Sequence, residues 1–338
     1  MASIKEIAKL AKVSPGTTSL VLNGKGDQLR ISAATQQRIW EAARMLDYKP
    51  NISARRLRSG QDKVSPIIAL LWTLDARASL IGPFLKGIQT ALSESEEEYD
   101  LLIQPFVGSR LSEVRSLISG TRFNGAIITN PTEEDEEFLA NSKPNVPIVL
   151  YQRSSDKYAC VNIDNHKSGQ TVASLLANRG HREAGIIYPD VSSTAIRLRK
   201  EGFLAKAEEL GLKIKPEHII AQDFSESGGY NALRQMLQTG SLPTALFVAS
   251  DQMAVGTLTA LHEQGIRVPE DLEIVSHDDY EIARFTNPPL TTMHLPLEEM
   301  AKACVEILID LMNHKITEPV YRHFDTHLVV RKSCGDFK

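Results

Sequence analysis

The first fifty residues carry apolar positions at helical spacing. Residues at i, i+3, i+4 and i+7 predict one face of a first helix: Ile4, Ile7, Ala8 and Ala11. Ser14 followed by Pro15 predicts the start of a second helix, because serine is a good N-cap and proline at N1 loses no hydrogen bond; Leu20 and Val21 supply its apolar surface. A third helix is predicted after Ser32. Its inward stripe is Ile39, Ala42, Ala43 and Leu46. Three short helices with a sharp turn between the first two predict a helix-turn-helix, the alternative being another kind of small helical subdomain.

From residue 66 onward, apolar runs alternate with helical stretches, as in doubly wound α/β units. The first unit has predicted strands at 67–72, 101–106, 125–129 and 147–151, with helices at 82–98, 111–119 and 133–141. The second has predicted strands at 159–163, 184–188, 219–222, 245–249 and 272–276, with helices at 165–179, 194–210, 228–238 and 251–264. A strand at 290–295, a helix at 297–313 and a strand at 324–331 follow. Left-handed helix C-caps are expected at Gly180, Gly211 and Gly265.

Charge is distributed unevenly along the chain. Residues 1–63 contain twelve lysines and arginines against five acidic residues, a net charge of +7, whereas the whole chain carries −4. The remainder therefore carries −11, and a basic head on an acidic body suggests that the head binds a polyanion.

Bulk composition favours a soluble cytoplasmic protein. No apolar run approaches the ~20 residues that span a bilayer, and the first residues lack the pattern of a secretion signal. The three cysteines, Cys160, Cys304 and Cys334, are odd in number and far apart, so we expect no disulfide framework. The last residues show no heptad repeat, which argues against a coiled-coil tetramer.

The segment after the third helix, Tyr48-Lys49-Pro50-Asn51 followed by residues 52–60 (ISARRLRSG), completes a resemblance to the LacI/GalR family of bacterial transcription regulators. Five later segments resemble family motifs in the same order: Gly180-His181-Arg182, Arg199-Lys200-Glu201-Gly202-Phe203, Ser250-Asp251-Gln252-Met253-Ala254, Ser276-His277-Asp278-Asp279 and Pro289-Leu290-Thr291-Thr292. The resemblance implies an all-α helix-turn-helix DNA-binding domain plus a hinge helix, followed by a two-lobe α/β effector domain like the type I periplasmic binding proteins.

The same resemblance gives the expected domain boundaries. Residues 1–50 would form the DNA-binding domain and 51–65 the hinge helix and linker. Residues 66–163 with 291–320 would form the N-terminal lobe of the effector domain, and 164–290 with 321–338 the C-terminal lobe. The chain would cross between lobes near Asp164, Leu290 and Tyr321.

The expected DNA-binding residues lie on the second helix, in the turn that follows it and in the hinge. They are Ser14, Pro15, Gly16, Thr17, Thr18, Ser19, Leu20, Asn23, Lys25, Arg30, Asn51, Ser53, Ala54, Arg56 and Leu57. In the family, a leucine at the position of Leu57 enters the central base step of the minor groove, and an apolar wedge flanked by arginines is able to kink a duplex; the alternative is a solvated basic linker.

The second helix departs from the family pattern. Pro15 and Gly16 stand where relatives commonly carry bulky polar residues, and Leu20 stands where arginine is frequent. These residues have no donor for a base edge, although Leu20 is able to touch a thymine methyl group. We therefore expect more weight on phosphate contacts, on the hinge and on DNA deformability.

The expected effector site lies between the lobes, at the carboxyl ends of the strands. Its candidate residues are Thr129, Asn130, Arg199, Phe224, Ser250, Asp251 and Asp278. Arg199 offers a fork of donors to hydroxyls or a carboxylate, and Asp278 is placed to accept from vicinal hydroxyls. The alternatives are a solvated Arg199, a turn aspartate at Asp278, a helix N-cap at Asp251 and a packing role for Phe224.

Two substitutions in the motifs bear on the ligand. Ser250 replaces the usual asparagine and Ser276 the usual glycine, which indicates a non-standard pocket. A neutral or acidic sugar is the expected ligand, with a nucleobase as the second choice.

Enzyme readings find little support, because the sequence lacks the G-x-S-x-G, P-loop, H-E-x-x-H and C-x-x-C motifs and its histidines show no metal-ligand spacing. We therefore expect no cofactor and no metal. The sequence predicts a cytoplasmic, homodimeric regulator, most simply a repressor, that binds a pseudo-palindromic DNA operator under control of a small-molecule effector, for which a carbohydrate is the expected class. The alternatives are a sugar-binding receptor and a sugar-processing enzyme of similar fold.

Overall fold

A computed structural model describes residues 4–22, 26–27, 29–46, 65–73 and 81–335 of the chain. Seven predicted DNA-binding residues lie outside these ranges: Asn23, Lys25, Asn51, Ser53, Ala54, Arg56 and Leu57. Within the described ranges, no helix is both long enough and apolar enough to cross a membrane.

The N-terminal domain consists of three short helices, as the apolar spacing predicts. They are α1 (Ile4–Ala11), α2 (Pro15–Leu22) and α3 (Ala33–Met45). Both predicted N-caps are present: Ser14 Oγ accepts from Thr17 N at 3.0 Å and Ser32 Oγ from Thr35 N at 3.3 Å. The helices enclose a core of Ile7, Ala11, Val21, Leu22, Ile39, Ala42 and Ala43. Leu22 fills the place predicted for Leu20, which is 36 % exposed because it lies on the opposite side of α2.

The N-terminal lobe of the effector domain is a six-stranded parallel sheet with the strand order β11-β5-β4-β3-β1-β2. Its strands are β1 (Ile67–Thr73), β2 (Asp100–Phe106), β3 (Gly125–Thr129), β4 (Ile148–Tyr151), β5 (Ala159–Ile163) and β11 (Tyr321–Phe324). Helices α4 (Ile81–Glu94) and α11 (Leu297–Met312) cover one face, and α5 (Arg115–Ser119) and α6 (Glu133–Asn141) the other. The central strands β1, β3 and β4 are buried on both faces, which explains their continuous apolar runs.

The C-terminal lobe repeats this plan with the order β12-β10-β9-β8-β6-β7, in which β12 runs antiparallel to β10. Its strands are β6 (Glu183–Pro189), β7 (Lys213–Gln222), β8 (Ala245–Val248), β9 (Glu273–Asp278), β10 (Thr291–His294) and β12 (His327–Val329). Its helices are α7 (Asn165–Asn178), α8 (Thr194–Glu209), α9 (Glu226–Leu237) and α10 (Asp251–Glu263). The expected left-handed C-caps are confirmed, with φ of 92° at Gly180, 71° at Gly211 and 68° at Gly265.

Two of the predicted lobe crossings are wrong by several residues. Strand 291–294, assigned to the N-terminal lobe, pairs with β9 in the C-terminal sheet, so the chain crosses after His294 rather than near Leu290. Strand β11, assigned to the C-terminal lobe from residue 321, pairs with β5 in the N-terminal sheet, and the crossing back lies between Phe324 and His327. Hydrogen bonding between backbones decides which sheet a strand joins, and the apolar periodicity of the strand carries no information about that.

Three predicted elements differ in form. The single strand predicted at 324–331 is two short strands in different sheets, β11 and β12. The helix predicted at 111–119 is a 3₁₀ turn, Leu111–Glu113, followed by α5. The short strand predicted at 219–222 is the end of the longer β7, whose pairing with β6 shifts register between Ala184 and Ile186.

Candidate functional site

The surface of α2 shows which residues are available to DNA. Ser14, Pro15 and Gly16 are exposed, Thr17 and Ser19 are half-buried, and Leu20 is exposed. Thr18 is a correction to the predicted DNA-binding set. Its side chain is fully buried and its hydroxyl donates to the Ser14 carbonyl oxygen at 3.0 Å, so it faces the core of the domain.

Exposed cationic side chains lie on α1, on α3 and in the turns next to them. The described lysines and arginines of the N-terminal domain are all exposed: Lys5, Lys9, Lys12, Arg30, Arg38 and Arg44. Arg30, which was a predicted DNA contact, has φ of 54° in the turn that leads to α3. Exposed cations on a domain of this class are suited to phosphate contacts, which position a protein on DNA without reading its sequence.

A cavity lies between the two lobes of the effector domain. The N-terminal lobe contributes Trp72, Asn130, Tyr151, Gln152 and Arg153, together with Leu295 and Leu297 near a crossing segment. The C-terminal lobe contributes Val191, Ser193, Ala195, Ile196, Arg199, Phe224, Asp278 and Tyr280. Four of the predicted residues therefore lie together at the cavity: Asn130, Arg199, Phe224 and Asp278.

Arg199 extends from α8 to the base of this cavity, where it is 3 % exposed. Its Nη1 donates to the Ala249 carbonyl oxygen at 2.8 Å and its Nη2 to Asn165 Oδ1 at 2.9 Å. Nη1 lies 3.9 Å from Asp278 Oδ1, an ion pair without a direct hydrogen bond. Nε has no hydrogen-bond partner among the described residues. Burial lowers the pKa of the guanidinium and the charge of Asp278 opposes that shift, so the solvated arginine considered above is not what the structure contains.

The glycine of the R-x-x-G-F segment explains how Arg199 reaches Asn165. Helices α7 and α8 cross with Gly202 against the backbone of His166 and Gly169 against the backbone of Arg199. A Cβ on Gly202 would lie 2.0 Å from the His166 carbonyl oxygen, and a Cβ on Gly169 would lie 2.0 Å from the Arg199 carbonyl oxygen. The absence of both side chains brings α7 and α8 close enough for the guanidinium to bond across them.

Asp278 ends β9 with a φ of 117°, an unusual backbone conformation for a residue with a side chain. Its Oδ1 lies 2.9 Å from Nδ1 of His277, and its Oδ2 is buried without a hydrogen-bond partner in the described part of the chain. Burial lowers the pKa of His277 and so favours the neutral ring. Burial also raises the pKa of Asp278, an effect that the nearby Arg199 partly offsets.

Three predicted effector residues do not line the cavity, as far as the described residues show. Thr129 is buried and donates to the Leu71 carbonyl oxygen at 3.0 Å. Ser250 caps α10 by accepting from Gln252 N at 3.3 Å. These two and Asp251 sit where a strand ends or a helix begins, but each side chain turns into its own lobe, where backbone and hydroxyl groups satisfy it.

Asp251 stabilises the loop that carries Asp278 through three hydrogen bonds. Its carboxylate accepts from the hydroxyls of Ser276 and Thr292, the latter at 2.8 Å, and from the backbone N–H of Tyr280 at 2.8 Å. Burial and the charge of Asp278 raise its pKa. The alternative reading of Asp251 as only an N-cap is therefore wrong, and Ser276, which replaces the usual glycine, supplies one of its three donors.

The sequence interpretation missed the aromatic side of the cavity. Trp72 is the last residue but one of β1, Tyr151 ends β4, and Tyr280 follows β9. Phe84 packs edge-on against both Trp72 and Tyr151, at centroid distances of 5.5 and 5.0 Å. Trp72, Tyr151 and Tyr280 lie at or just after the carboxyl ends of parallel strands, where ligands bind in open α/β sheets. Searching the end of every predicted strand for candidate residues would have found them.

The sequence interpretation also missed Arg153. It is buried at the cavity wall, where Nε forms an ion pair with Glu136 Oε1 at 2.7 Å and Nη2 donates to the Pro131 carbonyl oxygen at 2.8 Å. Burial raises the pKa of Glu136, while the charge of Arg153 lowers it. Arg153 therefore forms part of the cavity wall on the side of the N-terminal lobe.

The described residues contain no group of His, Cys, Asp or Glu side chains that could hold a metal ion.

A helix-turn-helix domain joined to a two-lobe α/β domain with a polar and aromatic cavity between its lobes defines a ligand-responsive DNA-binding regulator. Residues 3–51 match the family model described as bacterial regulatory proteins, lacI family, and residues 173–334 match the periplasmic binding protein-like domain. The chain belongs to the LacI family of bacterial transcription regulators, and its relatives are regulators rather than enzymes.

Curated relatives match nearly the whole chain. The HTH-type transcriptional repressor PurR of Pasteurella multocida is 31 % identical over 98 % of both chains, and the ribose operon repressor of Escherichia coli is 31 % identical over 94 % of both. Among solved structures, a LacI family regulator from Clostridium acetobutylicum is 34 % identical, with a TM-score of 0.76 over 79 % of this chain and all of that one. The lac repressor dimer bound to operator is 25 % identical, with a TM-score of 0.72 over 99 % of both.

Proposed function

We propose that this regulator is a cytoplasmic, sequence-specific repressor whose operator affinity is controlled by a carbohydrate bound between its lobes. One observation carries the proposal. Arg199 Nε and Asp278 Oδ2 are buried beside the cavity without hydrogen-bond partners among the described residues. Buried polar groups in native proteins are nearly always satisfied, and a ligand hydroxyl is able both to accept from the guanidinium and to donate to the carboxylate.

The charges around the cavity favour a neutral ligand. Two cationic residues, Arg153 and Arg199, face two carboxyl groups, Glu136 and Asp278, and the Arg153 guanidinium is already bonded to carbonyl oxygens. An anionic ligand would need a further cation, whereas hydroxyls fit the existing set. Aromatic residues at a carbohydrate site pack against the apolar faces of sugar rings, a role suited to Trp72 and Phe224.

The names of the relatives support the class of ligand and leave its identity open. One solved relative is a transcriptional regulator CelR–cellobiose complex, 27 % identical with a TM-score of 0.72 over 98 % of this chain. Others carry the names ribose operon repressor and HTH-type transcriptional repressor PurR. These names support a small-molecule effector, and the balanced charges of this cavity favour the sugar over an acid.

The protein is proposed to act as a homodimer on a pseudo-palindromic operator. The 3₁₀ turn Glu281–Arg284 and the residue after it expose apolar side chains, with Ile282 46 % and Phe285 74 % exposed. An apolar patch of this kind marks an interaction site, and the lac repressor relative is a dimer on its operator. A two-fold dimer imposes two-fold symmetry on its DNA.

The effector is proposed to act by changing the lobe arrangement next to the DNA-binding domains. Such couplings are typically about 1–3 kcal/mol, and either sign is compatible with the fold, so the ligand acts as inducer or corepressor. The predicted hinge helix and its Leu57 wedge would transmit the change. Both lie outside the described residues and stay predictions.

The operator proposal is tested by selection from random duplexes followed by band shifts. We expect one pseudo-palindromic motif, bound by two protomers, and an affinity that falls steeply with salt. With about six phosphate contacts the loss would be roughly a thousandfold between 50 and 200 mM salt. Equal binding to selected and random duplexes would contradict the proposal.

The effector proposal is tested by thermal shift with matched probes. Neutral sugars such as D-ribose, D-glucose and cellobiose are compared with D-glucuronate and hypoxanthine. A ligand at about a hundredfold its Kd stabilises the native state by about 2.7 kcal/mol, so a binding sugar raises the melting temperature by several degrees. A shift with glucuronate or hypoxanthine and none with any neutral sugar would overturn the assignment.

A further inference from the structure

We propose that α2 reads its operator chiefly through methyl groups, so that it selects thymine at the bases it faces. The inference rests on the proposed operator binding and names the chemical feature that α2 recognises. In a helix-turn-helix the second helix enters the major groove, with the residues near its N-terminus on the base edges. On α2 those residues are Pro15 and Gly16, and Leu20 is exposed one turn further along the helix.

The geometry of α2 separates an apolar outer face from a buried inner face. Gly16 and Leu20 are four residues apart and therefore lie on the same side of the helix, one turn from each other. The buried residues Thr18, Val21 and Leu22 occupy the opposite side. The face turned away from the domain core thus presents a backbone surface at Gly16 and a branched aliphatic side chain at Leu20.

The polar groups of the first turn of α2 are largely engaged within the protein. Ser14 Oγ accepts from Thr17 N and shares a hydrogen bond with Thr17 Oγ1 at 2.8 Å, and the Thr18 hydroxyl donates to the Ser14 carbonyl oxygen. The helix sequence, PGTTSLVL, contains no charged or amide side chain. Strong base discrimination by hydrogen bonds uses bidentate arginine, lysine, asparagine or glutamine, and α2 has none of them.

Gly16 is not required by the fold of the domain. Among the described residues, an added Cβ would meet only Ser14 Oγ within 4 Å, at 3.6 Å, which is an ordinary contact, and the backbone conformation is not left-handed. Glycine weakens a helix, and the described part of the chain gives no steric reason for it here, so we infer that its advantage lies in contact with DNA. A bare backbone at this position lets α2 approach the groove closely, which brings Leu20 within reach of methyl groups on the base edges.

Thymine is the base whose major-groove edge carries a methyl group, and apolar side chains contact it. Burying one methyl group changes affinity about fourfold. We therefore expect the selected half-site to contain thymines opposite α2. Replacing one such thymine by deoxyuridine removes only the methyl group and should weaken binding of the full-length protein about fourfold. Deoxyuridine outside the half-site should have no effect.

The experiment uses the selected operator with single deoxyuridine replacements, and compares the wild-type protein with Leu20→Ala. The variant should lose most of the methyl dependence while keeping its melting temperature, since Leu20 is exposed. Leu20→Arg is the matched control and should acquire a preference for guanine. Unchanged affinity for every deoxyuridine duplex, or a half-site without thymine, would overturn the inference while leaving operator binding intact. Failure to select any motif would refute the proposed operator binding, and the inference with it.

Discussion

Arg199→Lys is expected to shift the response of operator binding to at least tenfold higher effector concentration, while operator affinity without effector stays unchanged. Lysine keeps the charge but replaces a planar fork by a single ammonium group. It would be unable to reach the Ala249 carbonyl oxygen, Asn165 Oδ1 and a ligand hydroxyl together. A hydrogen bond to a charged group contributes about 1.5–3 kcal/mol, so the effector affinity should fall at least tenfold.

The measurement is fluorescence anisotropy of labelled operator, titrated with the sugar that gives the largest thermal shift. The matched control is Arg197→Lys on the same helix, where the arginine is exposed and pairs with Glu201. That variant should respond normally. A normal response from Arg199→Lys would remove Arg199 from the site.

Lysine is the better test here because Arg199 also stabilises the fold. Alanine would leave the Ala249 carbonyl oxygen without its donor and Asp278 without its nearby cation, both buried. Removing one partner of a buried charged pair typically costs about 3–5 kcal/mol of stability. An alanine variant would therefore lose effector binding for two reasons that a binding assay alone does not separate.

Gly202→Ala is expected to lower the free energy of unfolding by at least about 3 kcal/mol, which is large for one methyl group. The added Cβ would lie 2.0 Å from the His166 carbonyl oxygen, and the obstacle is backbone, so α7 and α8 must move apart. Separation of these helices also moves Arg199 away from Asn165, and effector affinity should fall with stability.

Urea unfolding of the two variants Gly202→Ala and Gly82→Ala provides the measurement and its control. Gly82 is a glycine in α4, and an added Cβ there would meet no described residue within 4 Å. Its replacement should change stability by less than about 1 kcal/mol, and the helix propensity of alanine favours a gain. Similar unfolding midpoints for both variants would show that α7 and α8 move apart at little cost in stability.

The sequence predicted what depends on local pattern and on motif. Apolar runs located the strands, glycine located the C-caps, and the R-x-x-G-F and G-x-D-D resemblances located Arg199 and Asp278, which the structure brings to one cavity. These features follow from short-range periodicity or from a residue type that a backbone position requires. The fold class is confirmed by the two sheets and by the family match.

The errors concern which way a side chain turns and which sheet a strand joins. Thr129, Ser250 and Asp251 stand at strand ends or helix starts beside the cavity, but internal hydrogen bonds take their side chains inward. Thr18 sits on the predicted recognition helix, but helical rotation places it in the core. Partners far along the chain decide the orientation of Thr129 and Asp251, whereas Ser250 and Thr18 are held by hydrogen bonds within or next to their own helices.

Strands β11 and β12 lie within nine residues of each other but belong to different sheets. β11 is the edge strand of the N-terminal sheet, and β12 is the edge strand of the C-terminal sheet. A cut anywhere in 325–326 would leave both edges in place, whereas deletion from residue 321 onward would strip an outer strand from two sheets at once. Affinity tags and fusion partners therefore belong beyond residue 335 or at the other terminus. A shortened protein would expose two new rows of unpaired backbone groups and be prone to aggregate.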